Sequence, residues 1–171
     1  MNPESGAWVL VVCLGNRLVE DDAVGGAVYD HLQGEVLPPG TRLCELGVAG
    51  IALLEQLAGE ELLLVVDAVC FGSEPGSLHV LEWGDIPQAA GQAVSAHGIG
   101  LREALEVGSL LHPELMPRQV LLIGIEGRRF RELGLGMGPE VAGAVAIAAA
   151  EVKRQIVSRL GNQPIPSSAT V

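Results

Sequence analysis

Three places in the chain carry side chains that could do chemistry together. They are the acidic triplet Glu20-Asp21-Asp22, the single Asp67, and His97 in the small-residue run Ser95-Ala96-His97-Gly98-Ile99-Gly100. Two carboxylates and one imidazole form a three-ligand set suited to a divalent transition metal, with Asp22, Asp67 and His97 as its members. Each member has an ordinary alternative. An acid beside a helix start caps free amides and complements the helix dipole, although three in succession exceed what capping needs. A carboxylate at the end of an aliphatic run suffers desolvation unless it caps a turn or meets a cation. The small neighbours of His97 leave its ring accessible, and a cap or a buried hydrogen bond is its competing role.

The elements that must position these groups follow from hydrophobic patterning. The aliphatic run 9–14 breaks into Gly15-Asn16 and leads within a few residues to the triplet, while the run 62–66 ends directly on Asp67. Buried parallel strands read as continuous aliphatic runs, and ligands in open α/β sheets collect outside the strands' carboxyl ends. Both acidic clusters should therefore face one crevice. The pattern predicts strands over 8–14, 41–46, 61–69 and 119–125, with 77–83 as an edge strand whose apolar residues stand among polar neighbours. Helical spacing predicts helices over 23–32, with Asp21 or Asp22 as N-cap, over 51–58 closed by Gly59, and over 101–111. Residues 84–99 read as a loop. The longest helix starts at Gly138-Pro139-Glu140, a favourable sequence for a helix N-terminus, and runs to about 160. The expected fold is a three-layer α/β/α sandwich, a mostly parallel sheet of about five strands with one antiparallel edge strand. It forms a single domain over 1–160, and 161–171 should be a flexible tail.

Composition narrows the function classes. The 171 residues are 49% hydrophobic and 18% charged, as in a well-buried globular domain. A formal charge of −11 repels polyphosphate and argues against nucleic acid or an anionic membrane as partner. The N-terminus lacks a basic region and a cleavage site of small residues, so export is not expected, and the Ala-rich stretch 141–150 is about half the length that spans a bilayer. Cys13, Cys44 and Cys70 have no metal-finger spacing and read as buried, reduced, structural residues, which suits the cytoplasm. The loop after the first strand lacks the three-glycine dinucleotide pattern, and acids at a helix start would repel a pyrophosphate. His31, His79 and His112 have no acidic or cysteine partner at ligand spacing and read as surface or structural. Glu126-Gly127-Arg128-Arg129 reads as a solvated turn, with substrate contact as its alternative. No nucleophilic Ser or Cys with a base partner is evident.

In combination, the motifs resemble those of the hydrogenase maturation endopeptidases, which trim the C-terminal extension from the nickel-iron hydrogenase large subunit. The resemblance covers about residues 8–155. Leu14-Gly15-Asn16-Arg17-Leu18-Val19-Glu20-Asp21-Asp22-Ala23-Val24-Gly25 is similar to the family's Gly-Asn, acidic-pair and Gly signature. Val66-Asp67-Ala68-Val69 resembles its second acidic motif, Ser95 to Leu101 its histidine motif, and Leu122-Ile123-Gly124-Ile125-Glu126 its last strand. The loop Glu45-Leu46-Gly47-Val48-Ala49-Gly50 departs from the polar Asp-Gly-Gly-Thr-like loop common in the family. By this match the metal-contacting residues are Asp22, Asp67 and His97. The implied metal is nickel carried by the substrate precursor, with no tightly held metal of the protein's own. The implied partner is the hydrogenase large-subunit precursor in the cytoplasm. Two other readings stand beside it: a non-cleaving metal-sensing assembly chaperone, and a stand-alone metallohydrolase for a small substrate.

Overall fold

Aliphatic residues in unbroken series, Val9 to Leu14 and Leu62 to Val66, have no polar face to offer water and can only form central strands covered on both sides. The computed structural model, which describes residues 8–47, 50–86 and 98–160, places them so: both strands are buried along their whole length. In chain order the elements are β1 (Val9–Leu14), a 3₁₀ turn (Glu20–Ala23), α1 (Val24–Gln33), β2 (Thr41–Leu46), α2 (Gly50–Leu54), β3 (Leu62–Val69) and β4 (Leu78–Glu82). A second 3₁₀ turn (Trp83–Asp85), α3 (Gly98–Leu111), a third 3₁₀ turn (Pro113–Leu115), β5 (Gln119–Glu126) and α4 (Pro139–Leu160) complete the set.

The sheet order is β2-β1-β3-β5-β4. The pairs β1·β2, β1·β3 and β3·β5 are parallel, and β4 runs antiparallel on the edge of β5, as its alternating sequence predicts. Because the chain leaves β1 for β2 on one side and returns to β3 on the other, the winding reverses between β1 and β3. The crevice of such a sheet opens at that reversal, outside the carboxyl ends of the two strands. One face, with Val11, Leu64 and Ile123, is covered by Val28 and Leu32 of α1 and Ala148, Val152 and Ile156 of α4. The other, with Leu10, Val12, Leu63 and Val65, is covered by Leu53 of α2 and Leu101 and Leu105 of α3. Each fully buried leucine or isoleucine contributes about 2 kcal/mol. Among the described residues no helix is long and apolar enough to cross a membrane.

Several boundaries differ from the sequence reading. α2 ends at Leu54 and continues as 3₁₀-type turns, Gln56 N–H to Leu53 O and Leu57 N–H to Leu54 O, before Gly59 turns the chain at φ +80°. α3 already includes Gly98, and the start of the expected 84–99 loop is the 3₁₀ turn at Trp83–Asp85. β3, by contrast, runs through Asp67 to Val69 as the predicted 61–69 strand requires. Residues 161–171, read as a tail, lie outside the described residues.

The cysteines need correction as well. All three are free, but only Cys13 is buried; Cys44 is half-buried and Cys70 exposed, because Cys70 falls just past the last residue of β3. Burial pushes the Cys13 thiol up, and that of Cys44 in the same direction. A thiol reagent should therefore label Cys70 fast, Cys44 slowly and Cys13 only on unfolding. Peptide mapping after brief labelling checks the order, and early modification of Cys13 would contradict it.

Candidate functional site

The end of β1 is built around two glycines. Gly15 has φ +138°, and a Cβ there would stand 2.1 Å from the backbone oxygen of Asp22. Gly25, in the first turn of α1, lies so close to β1 that a Cβ would stand 1.8 Å from the Leu14 oxygen. The turn between them thus folds straight back onto the strand end. Asn16 ties it: its amide donates to Asp22 Oδ2 at 2.8 Å, and its own Oδ1 accepts from Leu18 N–H at 3.0 Å. Arg17 braces it from outside, through Asp30 of α1 at 2.7 Å and Glu45 of β2 at 2.5 Å. Since the Leu14 oxygen is backbone and cannot swing aside, Gly25→Ala should cost about 3 kcal/mol and most of the activity. Thermal unfolding and activity assays check this, and a stable, active alanine variant would contradict the close approach.

The triplet Glu20-Asp21-Asp22 forms a 3₁₀ turn, in which three residues complete one revolution. Its side chains therefore diverge in three directions. Glu20 Oε2 accepts the amides of Arg131 and Glu132 at 3.3 and 3.2 Å. Asp21 Oδ2 accepts those of Arg128 and Arg129, both at 2.9 Å, and its Oδ1 that of Gly138 at 2.8 Å. Asp22 turns back to Asn16. All three are buried, with relative exposures of 5%, 2% and 4%. The N-cap reading of Asp21 or Asp22 is therefore wrong: Val19 precedes the 3₁₀ turn and Ala23 precedes α1, neither with a side-chain cap. The amides that Glu20 and Asp21 satisfy belong to the loop after β5, more than a hundred residues away. Burial raises the Asp21 carboxyl, but the three amides and the Arg129 guanidinium outweigh it and hold the group below the usual carboxylate range.

Asp67 is 1% exposed and pairs in register with Gly124 of β5. Strand alternation puts it on the same side as Leu63, Val65 and Val69, the face covered by α2 and α3. The 3₁₀ turn of the triplet packs against β3. Asp22 and Asp67 thus belong to elements in contact at the carboxyl ends of β1 and β3. His97 immediately precedes Gly98, the first residue of α3, and lies outside the described residues. Among the described residues no three His, Cys, Asp or Glu side chains come together as a metal site.

Glu126 is not part of a solvated turn. Only 1% exposed, it accepts amides from Phe71, Gly72 and Ser73 at 2.8 to 3.1 Å and meets His79 Nε2 at 3.1 Å. Its carboxylate organises the loop after β3, and His79 does have an acidic partner, one that sequence spacing could not reveal. Arg128 and Arg129 are exposed, as expected of a turn. His31 and His112 also have acidic partners, Glu35 and Glu114, but both rings are exposed, as surface histidines.

The sheet and its helices make this an α/β protein, and in such sheets ligands bind at the reversal point, where the buried carboxylates of the turn after β1 and of β3 lie. A family model described as hydrogenase maturation protease matches residues 27–155, and the chain belongs to that family. It is therefore a protease, a hydrolase of hydrogenase maturation. It is 32% identical over 150 residues to the hydrogenase expression/formation protein HupD of Rhodobacter capsulatus, covering 86% of this chain and 70% of that one. Identity to the hydrogenase 2 maturation protease of Escherichia coli is 27% over 163 residues, 94% and 97% of the two chains. Among solved structures, the hydrogenase maturating endopeptidase HybD from E. coli superposes with a TM-score of 0.73 at 25% identity, over 90% and 91% of the chains. The HybD protease from Thermococcus kodakarensis gives 0.73 at 26%, over 86% and 97%.

Proposed function

We propose that this protein cuts the C-terminal extension from a nickel-iron hydrogenase large-subunit precursor after nickel has been inserted. In this reading the substrate's own nickel is contacted by Asp22, Asp67 and His97. The observation that carries it is the burial of two carboxylates, Asp22 and Asp67, on contacting elements at the carboxyl ends of β1 and β3. Two carboxylates so placed attract a cation that arrives with the substrate. The nickel acts as a template that places the scissile peptide bond, the gain being one of proximity and orientation. Water is the nucleophile, so no acyl-enzyme forms. The partner is the precursor, met in the cytoplasm; neither nucleic acid nor a membrane takes part.

The protein holds no tightly bound metal of its own on this account. Elemental analysis of the purified protein tests that point: well under one metal per chain is expected, and activity should survive brief chelation followed by desalting. A full equivalent of tightly held metal, lost together with activity on chelation, would favour the stand-alone metallohydrolase.

A further inference from the structure

We infer that Asp21 is a positioning residue for the processing reaction: it fastens the turn bearing Asp22 to the loop after β5, and so sets where the Asp22 carboxylate stands. The inference rests on the proposed role of Asp22. One carboxylate pins that loop at both ends, through Arg128 and Arg129 at its start and Gly138 just before α4. The Asp21 amide returns a bond to the Arg129 oxygen at 3.0 Å. Gly127 leaves the space this needs, since a Cβ there would stand 2.9 Å from that of Asp21. Between the two pinned ends the loop is fastened again to the same turn: Glu20 takes the amides of Arg131 and Glu132, Val19 bridges Leu133, and Gly134 N–H donates to the Leu18 oxygen.

Asp21 itself is 2% exposed and committed to these amides, so it does not touch substrate. Its effect reaches the reaction through its neighbour. Asp21 and Asp22 are consecutive residues of one 3₁₀ turn, and any rotation that frees the first displaces the second. A carboxylate accepts on both oxygens. An asparagine presents an NH₂ to at least one of the amide donors and breaks the clamp while keeping its volume.

The test is steady-state processing of nickel-loaded precursor by wild type, Asp21→Asn and Glu60→Gln. Glu60 is the matched control: 2% exposed, it accepts the Ala58 amide at 3.0 Å and pairs with Arg42, before β3 at the other end of the sheet. Asp21→Asn should lower kcat about ten- to a hundredfold with KM within about threefold, the signature of misplacement rather than lost binding. Glu60→Gln should keep kcat whatever its loss of Tm. Equal kcat losses in the two variants, or wild-type kcat in Asp21→Asn, would overturn the inference. Should Asp21→Asn not fold, Glu20→Ala, which removes the acceptor of both the Arg131 and Glu132 amides, decides instead: a lowered kcat at constant KM supports the clamp, and an unchanged kcat refutes it. Absence of cleavage by wild type would instead refute the proposed function, so the two failures are distinct.

Discussion

Asp67→Ala is expected to reduce processing by roughly a thousandfold or more while the protein stays folded, because in the proposed function its carboxylate contacts the substrate's nickel, which places the scissile bond. The fold should survive because the leucines and valines on both faces of β3, Val69 after Asp67 among them, keep their packing. Asp22→Ala should be equally inactive and lose about 1 kcal/mol of stability, since the Asn16 amide loses its acceptor. His97→Ala completes the set, with the same loss of processing expected. Circular dichroism and a thermal melt establish folding, and intact-mass analysis of the precursor reads processing. Wild-type maturation by all three variants would remove the site assignment.

Glu126→Ala should have the largest effect on stability. It leaves the amides of Phe71, Gly72 and Ser73 without their acceptor and strips His79 of its partner. Removing one member of a buried, charged hydrogen-bond cluster costs about 3 to 5 kcal/mol. For a chain of this size that lowers Tm by about 10 °C. Urea denaturation with an unchanged m-value checks the magnitude. A loss below about 1 kcal/mol would mean that the three amides reach water once the carboxylate is gone, and that the loop after β3 does not depend on Glu126.

Parallel strands advertise themselves, because burial on both faces demands the uninterrupted aliphatic runs seen in β1 and β3, and β4 is legible as an edge by its alternation. The same logic picks out Asp67, a lone charge in an apolar run. The division of labour inside Glu20-Asp21-Asp22 is not legible, since it depends on amides that only the folded chain brings near. Local rules read those acids as helix caps, whereas tertiary contacts made two of them clamps for a distant loop. Glu126 is illegible for the same reason: a carboxylate beside Gly-Arg-Arg looks solvated until the loop after β3 closes over it. The Arg17, Asp30 and Glu45 network likewise joins an arginine to partners 13 and 28 residues away, with no periodic signal to announce it.

The most direct test mixes the purified protein with nickel-loaded large-subunit precursor from the same source, and in parallel with nickel-free precursor, and weighs the products by mass spectrometry. Loss of a single C-terminal peptide from the nickel-loaded precursor alone is the predicted result. Equal cleavage of both precursors would contradict a nickel-reading site, and cleavage of neither would contradict the proposed processing of this substrate.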